Sequence, residues 1–182
     1  MRARLLWVAA LAAMAAGCGE GRLIFDIDVF SFLHSAQADT VPYAGPLPPG
    51  VPDTIPVQTV QSLGIGSSSL VDTVRITGAV DFVNDSGTGT VQFAVYFDSV
   101  KSNVYNGTPA FSVSGALTPG ATTHSTFDIP DIQTTLKPLF LGSTIYVGIK
   151  ASATPTAPSL VVGGTAKLTA LRARIVVQDK IF

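Results

Sequence analysis

Asp26 and Asp28 lie two residues apart in an extended-looking segment near the start of the chain, and Arg172 and Arg174 repeat that spacing near its end. A spacing of two puts both members of each pair on one face of a β-strand. If the two segments are neighbours, Asp26, Asp28, Arg172 and Arg174 form cross-strand ion pairs that also fix register. Exposed pairs of this kind contribute a few tenths to about one kcal/mol each. The same two carboxylates, helped by one from a turn, have the chemistry of a calcium site. Asp85 is a third weak candidate of that kind. It sits in the Gly-rich stretch Asn84-Asp85-Ser86-Gly87, without the spaced oxygen ligands and closing Glu of a dedicated calcium loop.

Other chemistries lack their parts. His34 and His124 are ninety residues apart and read as isolated polar histidines. A zinc site would need carboxylates from elsewhere. Gly66-Ser67-Ser68-Ser69 is not the G-x-S-x-G turn of a serine hydrolase, and nothing places Ser125 as a nucleophile. Gly64-Ile65-Gly66 lacks the third glycine and the following helix of a nucleotide fingerprint. Glu20 is the only glutamate and Trp7 the only tryptophan, a poor basis for a glycosidase cleft. The expectation is no catalytic residue, no metal and no cofactor.

The elements that would carry these residues are strands. Val, Thr, Ile, Ser and Gly are abundant, charged residues make up 13% of the chain, and the mean hydropathy is +0.43. This composition reads as all-β. Arg22 to Leu33 alternates with period two and is the first strand. Pro42 to Pro56 holds six of the twelve prolines and reads as an extended surface loop spanning 38–56. Its apolar Tyr43, Leu47, Val51 and Ile55 either pack back onto the domain or form a partner surface.

Val57 to Ile65 is the second strand. Val74, Ile76, Val80 and Phe82 alternate inward, then Val91, Phe93, Val95 and Phe97 do the same after the turn at 84–89, so the two read as a hairpin. Asn106-Gly107 marks another turn. Phe111 to Leu117, Thr123 to Ile129, Thr144 to Ala151 and Thr165 to Val177 complete eight strands. Asp131 is placed to cap one short helical turn over Ile132 to Lys137, ended by Pro138. An antiparallel β-sandwich, immunoglobulin-like in architecture only, packages these segments as one domain over 22–182. A membrane barrel is the competing fold. Counting back from Phe182, its outward positions would be Lys180, Gln178, Val176 and Arg174, of which only Val176 is apolar, so the pattern fails.

The leader MRARLLWVAALAAMAAGC has a basic start at Arg2 and Arg4, an apolar and small-residue run from Leu5 to Gly17, and Cys18, the sole cysteine. The run is too short to span a bilayer and has the length of a signal-peptide core. Ala15-Ala16-Gly17-Cys18 resembles the lipobox of bacterial lipoproteins, with Ala15 where that family most often has Leu. The resemblance implies a signal peptide over 1–17, cleavage before Cys18, acylation of its thiol and a mature chain of 165 residues. An ordinary secretory signal cleaved near Ala16 is the alternative. A lone thiol cannot form an internal disulfide in an oxidising compartment. Gly19, rather than Asp, follows the cysteine; by analogy with lipoprotein sorting in bacteria with two membranes, this implies the outer membrane. Residues 18–21 then form a short tether.

Without Arg2 and Arg4 the chain has nine basic and twelve acidic side chains and no basic cluster, which argues against nucleic acid and anionic lipid headgroups as electrostatic partners. The expected partners are the bilayer, through acylated Cys18, and an envelope protein. The expected role is structural or interactive, with a calcium- or glycan-binding module as the alternative.

Overall fold

A computed structural model describes residues 21–46, 53–62, 64, 69–157 and 160–179. The leader, Cys18, Leu47, Val51 and Phe182 lie outside the described residues. Nine strands are described: β1 (Gly21–Asp28), β2 (Thr40–Gly45), β3 (Gln58–Gln61), β4 (Ser69–Ser86), β5 (Gly89–Asp98), β6 (Phe111–Leu117), β7 (Thr122–Ile129), β8 (Thr144–Pro155) and β9 (Val162–Asp179). One α-helix, α1 (Val29–Ser35), and two 3-10 helices, η1 (Lys101–Asn106) and η2 (Thr134–Leu141), complete them. The strands form two antiparallel sheets packed as a β-sandwich. One sheet has the order β1-β9-β4-β7, with β2 also paired to β9, and the other has the order β3-β8-β5-β6.

The centre of the larger sheet is the β4–β9 pair, which runs from Ser69 opposite Asp179 to Ser86 opposite Gly163. Three register shifts leave Asp72, Asp85 and Thr169 without an opposite residue. Each is a bulge, where one extra residue bends and twists its strand. Around Asp72 the buried positions of β4 change parity, from Val71 to Val74, Ile76, Val80 and Phe82. Around Thr169 those of β9 change from Ala166 and Leu168 to Leu171, Ala173, Ile175 and Val177. Without the bulges, a strict period of two would turn half of each apolar set outward.

Val91, Phe93, Val95 and Phe97 of β5 and Ile145, Val147, Ile149 and Ala151 of β8 face this set from the smaller sheet. Burying a side chain of this size contributes about 1.5–3 kcal/mol. Phe82 of β4 crosses the core to lie on Gly115 of β6; a Cβ added at Gly115 would stand 2.5 Å from the Phe82 ring.

Four sequence expectations are corrected. The segment 22–33 is not one strand. Asp28 accepts hydrogen bonds from the Ser31 amide (3.3 Å) and hydroxyl (2.7 Å), starting α1 and burying Val29 and Leu33 one turn apart. The proline-rich stretch is not loop throughout, because Thr40–Gly45 pairs with Val162–Lys167 of β9. Pro42 is exposed on this edge strand, where a missing donor is tolerated. Within the same stretch, Tyr43 and Ile55 pack inward. Strands β4 and β5 are not a hairpin: the turn at 86–89 carries the chain from one sheet to the other. Both strands bury one face in either arrangement, so alternation alone does not distinguish them.

Asp131 does not cap the helical turn. η2 begins at Thr134, after Gln133, and contains Pro138 rather than ending at it. The Asp131 carboxylate instead accepts from the Val74 amide (3.0 Å) and from Lys137 Nζ (2.5 Å), and Lys137 also donates to the Asp72 carbonyl (2.6 Å). This clamp holds η2 against the first bulge of β4. Burial works to raise the Asp131 pKa, but the bonds from Lys137 and Val74 outweigh it and hold it below the usual carboxylate value. A depressed folded pKa stabilises the fold above the unfolded value of about 3.9 and loses that contribution as pH falls through the folded one. Asp131→Asn is therefore expected to lower stability at neutral pH by about 0.5–1 kcal/mol, a modest figure because solvent screens the exposed carboxylate. Its deficit relative to wild type should close as urea melts are repeated from about pH 4 downward. Gly115→Val is expected to cost about 1–3 kcal/mol by displacing Phe82, read as a lower urea midpoint at unchanged slope.

Candidate functional site

Strand register brings the four sequence-singled residues to one place. Asp26 lies opposite Arg174 and Asp28 opposite Arg172 across β1 and β9. On the other side of β9, Arg174 lies opposite Arg75 and Arg172 opposite Thr77. β7 adds Asp128 opposite Thr77. These side chains point away from the core, because alternate residues of β1, β4 and β9 are committed to it. They line a groove of about 570 Å³ on the outer sheet face, bounded by Asp26, Ile27, Asp28, Arg75, Thr77, Arg172 and Arg174.

The charges are not equally engaged. Arg75 grips Asp128 through two parallel hydrogen bonds, one of them 2.8 Å from Nε, in the bidentate geometry that guanidinium favours. That bond holds the Asp128 carboxyl below its ordinary pKa and raises Arg75 above its own. The Ser31 hydroxyl, with the Arg172 charge as a lesser contribution, lowers Asp28. Arg75 and Arg174 are like charges in direct opposition, a destabilising arrangement by itself. Carboxylates on both flanks, Asp26 and Asp128, offset it. Among the described residues, no salt bridge within 4.0 Å joins Asp26 or Asp28 to Arg172 or Arg174. The register expected for the pairs is present, while Asp28 spends its oxygens on Ser31.

Asp85, the third weak metal candidate, is the exposed extra residue of the last β4 bulge. Ten residues of strand, roughly 33 Å, separate it from Arg75. Among the described residues, no three His, Cys, Asp or Glu side chains come together as a cation site.

Neither histidine is isolated, contrary to the sequence reading. His34 Nδ1 is 2.9 Å from Asp39, and its ring stacks on Phe30 at 5.4 Å. His124 Nδ1 is 2.5 Å from Asp81, its register partner across β4 and β7. Among the described residues, no hydroxyl bonds the second ring nitrogen of either. The spacing of Asp81 and His124 from the 74–82 and 123–129 alternations could have suggested their pairing, had those segments been recognised as neighbours. Arg75–Asp128 was missed for the same reason.

No protein-family model matches the chain, and no curated protein sequence does. Among solved structures it is similar to infectious bursal disease virus Gt strain (14% identity, 88% of this chain and 38% of that one, TM-score 0.41). It is also similar to an aminopeptidase from a marine sediment archaeon (10%, 70% and 26%, 0.35) and to a Bacillus endospore appendage protein (14%, 89% and 94%, 0.29). The chain thus spans about two fifths of the viral chain it resembles.

The geometry predicts that Asp28 is coupled more strongly to Ser31 than to Arg172. Asp28→Ala is expected to cost about 1 kcal/mol, as loss of a helix cap does. Double-mutant cycles should give a larger coupling energy for Asp28 with Ser31 than for Asp28 with Arg172; the reverse order would make the cross-strand pair the stronger contact.

Proposed function

We propose that this chain is a lipoprotein of the bacterial cell envelope, acylated at Cys18 and sorted to the outer membrane, whose β-sandwich serves a structural or protein-interaction role. The observation that carries the reading is the position of β1. It begins at Gly21, three residues after the lipobox cysteine. Three extended residues reach about 11 Å. An acylated Cys18 would hold the folded domain directly on the bilayer and confine it to partners at that surface. Several acyl chains make such attachment effectively permanent, where one gives only marginal binding.

The groove is the partner-facing surface in this proposal. Arg172 and Arg174 are exposed on a central strand, and their guanidinium groups make no hydrogen bond or salt bridge among the described residues. Guanidinium groups held in this way suit carboxylate-bearing protein surfaces, and the flanking Asp26 and Asp28 fix the orientation of an incoming charge pattern.

Purification of the native protein in mild detergent, with mass measurement of its N-terminal peptide, tests the anchor; an unmodified Cys18 or cleavage at Ala16 overturns it. A stoichiometric envelope protein is expected to co-purify with the acylated form and to be lost from a Cys18→Ser form. Reversing the groove charges with Arg172→Glu and Arg174→Glu should release that protein while leaving the acyl mass unchanged. A monomer in every preparation overturns the interaction role.

A further inference from the structure

At the end of the larger sheet where β1 and β4 begin and β9 finishes, the inner faces of β4 and β9 stay buried, with Val71 5% and Val177 0% exposed, while β1 forms the open edge. At Ile27, Ile76 and Ala173 the inner face is still covered by Val60, Ile145 and Phe97. Two rows further out Leu23 lies opposite Val177 and, although it points inward, is 45% exposed. On the outer side of the same end, Ile24 is 53% exposed and Leu70 is 51% exposed. The three occupy neighbouring rows across β9, since Arg22 and Leu70 both lie opposite Gln178 and Leu23 and Val71 both lie opposite Val177. Arg22 bridges over β9 to Asp72 at 3.6 Å beside them. Large apolar side chains therefore stand exposed on both surfaces of this sheet end, Leu23 at its open β1 edge.

We infer that this end is a membrane-seating edge, in which Leu23, Ile24 and Leu70 enter the headgroup layer of the bilayer that holds Cys18. The inference rests on the anchor proposed above and goes beyond it, because an anchored domain could equally stand off the surface. Two lengths favour the bilayer as occupant. The tether from Cys18 to Gly21 reaches at most about 11 Å. The polar layer of one leaflet is roughly 5–8 Å deep. Leu23 and Ile24 are the second and third residues beyond Gly21, so the tether delivers this end of the domain, and no other, to the bilayer. Apolar groups at that depth leave water, while Arg22 stays among the phosphates, as arginine does at interfaces.

The mature chain from Cys18 onward contains no tryptophan, so a single introduced indole reports on its own position. The chain 18–182 would be coupled through its one thiol to maleimide-bearing lipid in phosphatidylcholine–phosphatidylglycerol vesicles containing brominated phosphatidylcholine. This supplies the anchor chemically, so the result is independent of whether cells acylate Cys18, which the mass measurement decides separately. An Ile24→Trp form is compared with a Val161→Trp form. Val161 is 61% exposed just before β9, roughly 55 Å along that strand from the proposed edge. The expected result is blue-shifted emission, strongly quenched by bromolipid, for Ile24→Trp, with Val161→Trp unaffected. Replacing Leu23 and Leu70 by Ser in the Ile24→Trp background should reduce the quenching. Equal quenching at both positions, or none at either, overturns the seating edge. An Ile24→Trp emission already blue-shifted in the uncoupled Cys18→Ser form would also overturn it, by showing that the chain itself covers the site.

Discussion

The pairing of β4 with β9 is the constraint from which the remaining geometry follows. Each strand is eighteen residues long, and they face one another over nearly their whole length. Every other strand of the larger sheet attaches to one of these two: β1 and β2 to β9, β7 to β4. A ribbon of that length cannot stay flat, because each strand twists. The bulges at Asp72, Thr169 and Asp85 absorb the twist and reset which side chains face the core. The outer groove inherits its order from this pairing, since Arg75, Arg172 and Arg174 are the residues left on the outer face once the inner one is filled.

Polarity and burial were legible in the sequence wherever one rule acted alone. The inward faces at 74–82 and 91–97 are those that alternation predicts, and β6 has the limits read from Phe111 and Leu117. The opposition of the Asp26/Asp28 and Arg172/Arg174 pairs was readable only on the condition that the first and last strands are neighbours, which the β1–β9 pairing meets, although the ion pairs expected from it do not form among the described residues. Legibility failed where two rules competed. At Asp28 an alternating run and a capping residue overlap, and the cap wins because it satisfies the Ser31 amide while Val29 and Leu33 gain burial. At Pro42 a strand is permitted only because it lies on an edge, a fact of topology rather than composition. The partners of His34, His124, Asp131 and Arg75 were illegible, since each depends on which strands or turns are neighbours in space.

Electrostatics in this molecule is local rather than global. The chain is close to neutral, yet its outer sheet face sets carboxylates on β1 and β7 around guanidiniums on β9 and β4. Such a surface presents no long-range field to steer a partner. It can discriminate at contact, because a misaligned partner would place like charges together. Its inner counterpart relies on neutral contacts instead. Tyr43 is buried and donates to the Val83 carbonyl at 3.0 Å, and burial, with the Asp85 charge nearby, pushes its pKa up to about 12.

Strand β9 follows β1, β2 and β4 in the sequence, although it lies between them in the sheet. None of the three can complete its ladder until residues 162–179 have been synthesised. During translation the earlier strands have no partner to close upon, and the large separations in sequence make the eventual closure slow. For a polypeptide threaded unfolded across a membrane, as the lipoprotein reading requires, this delay is an asset. On that reading, the order of the strands would keep the larger sheet open until residues 162–179 have been made, which would leave the chain extended for passage.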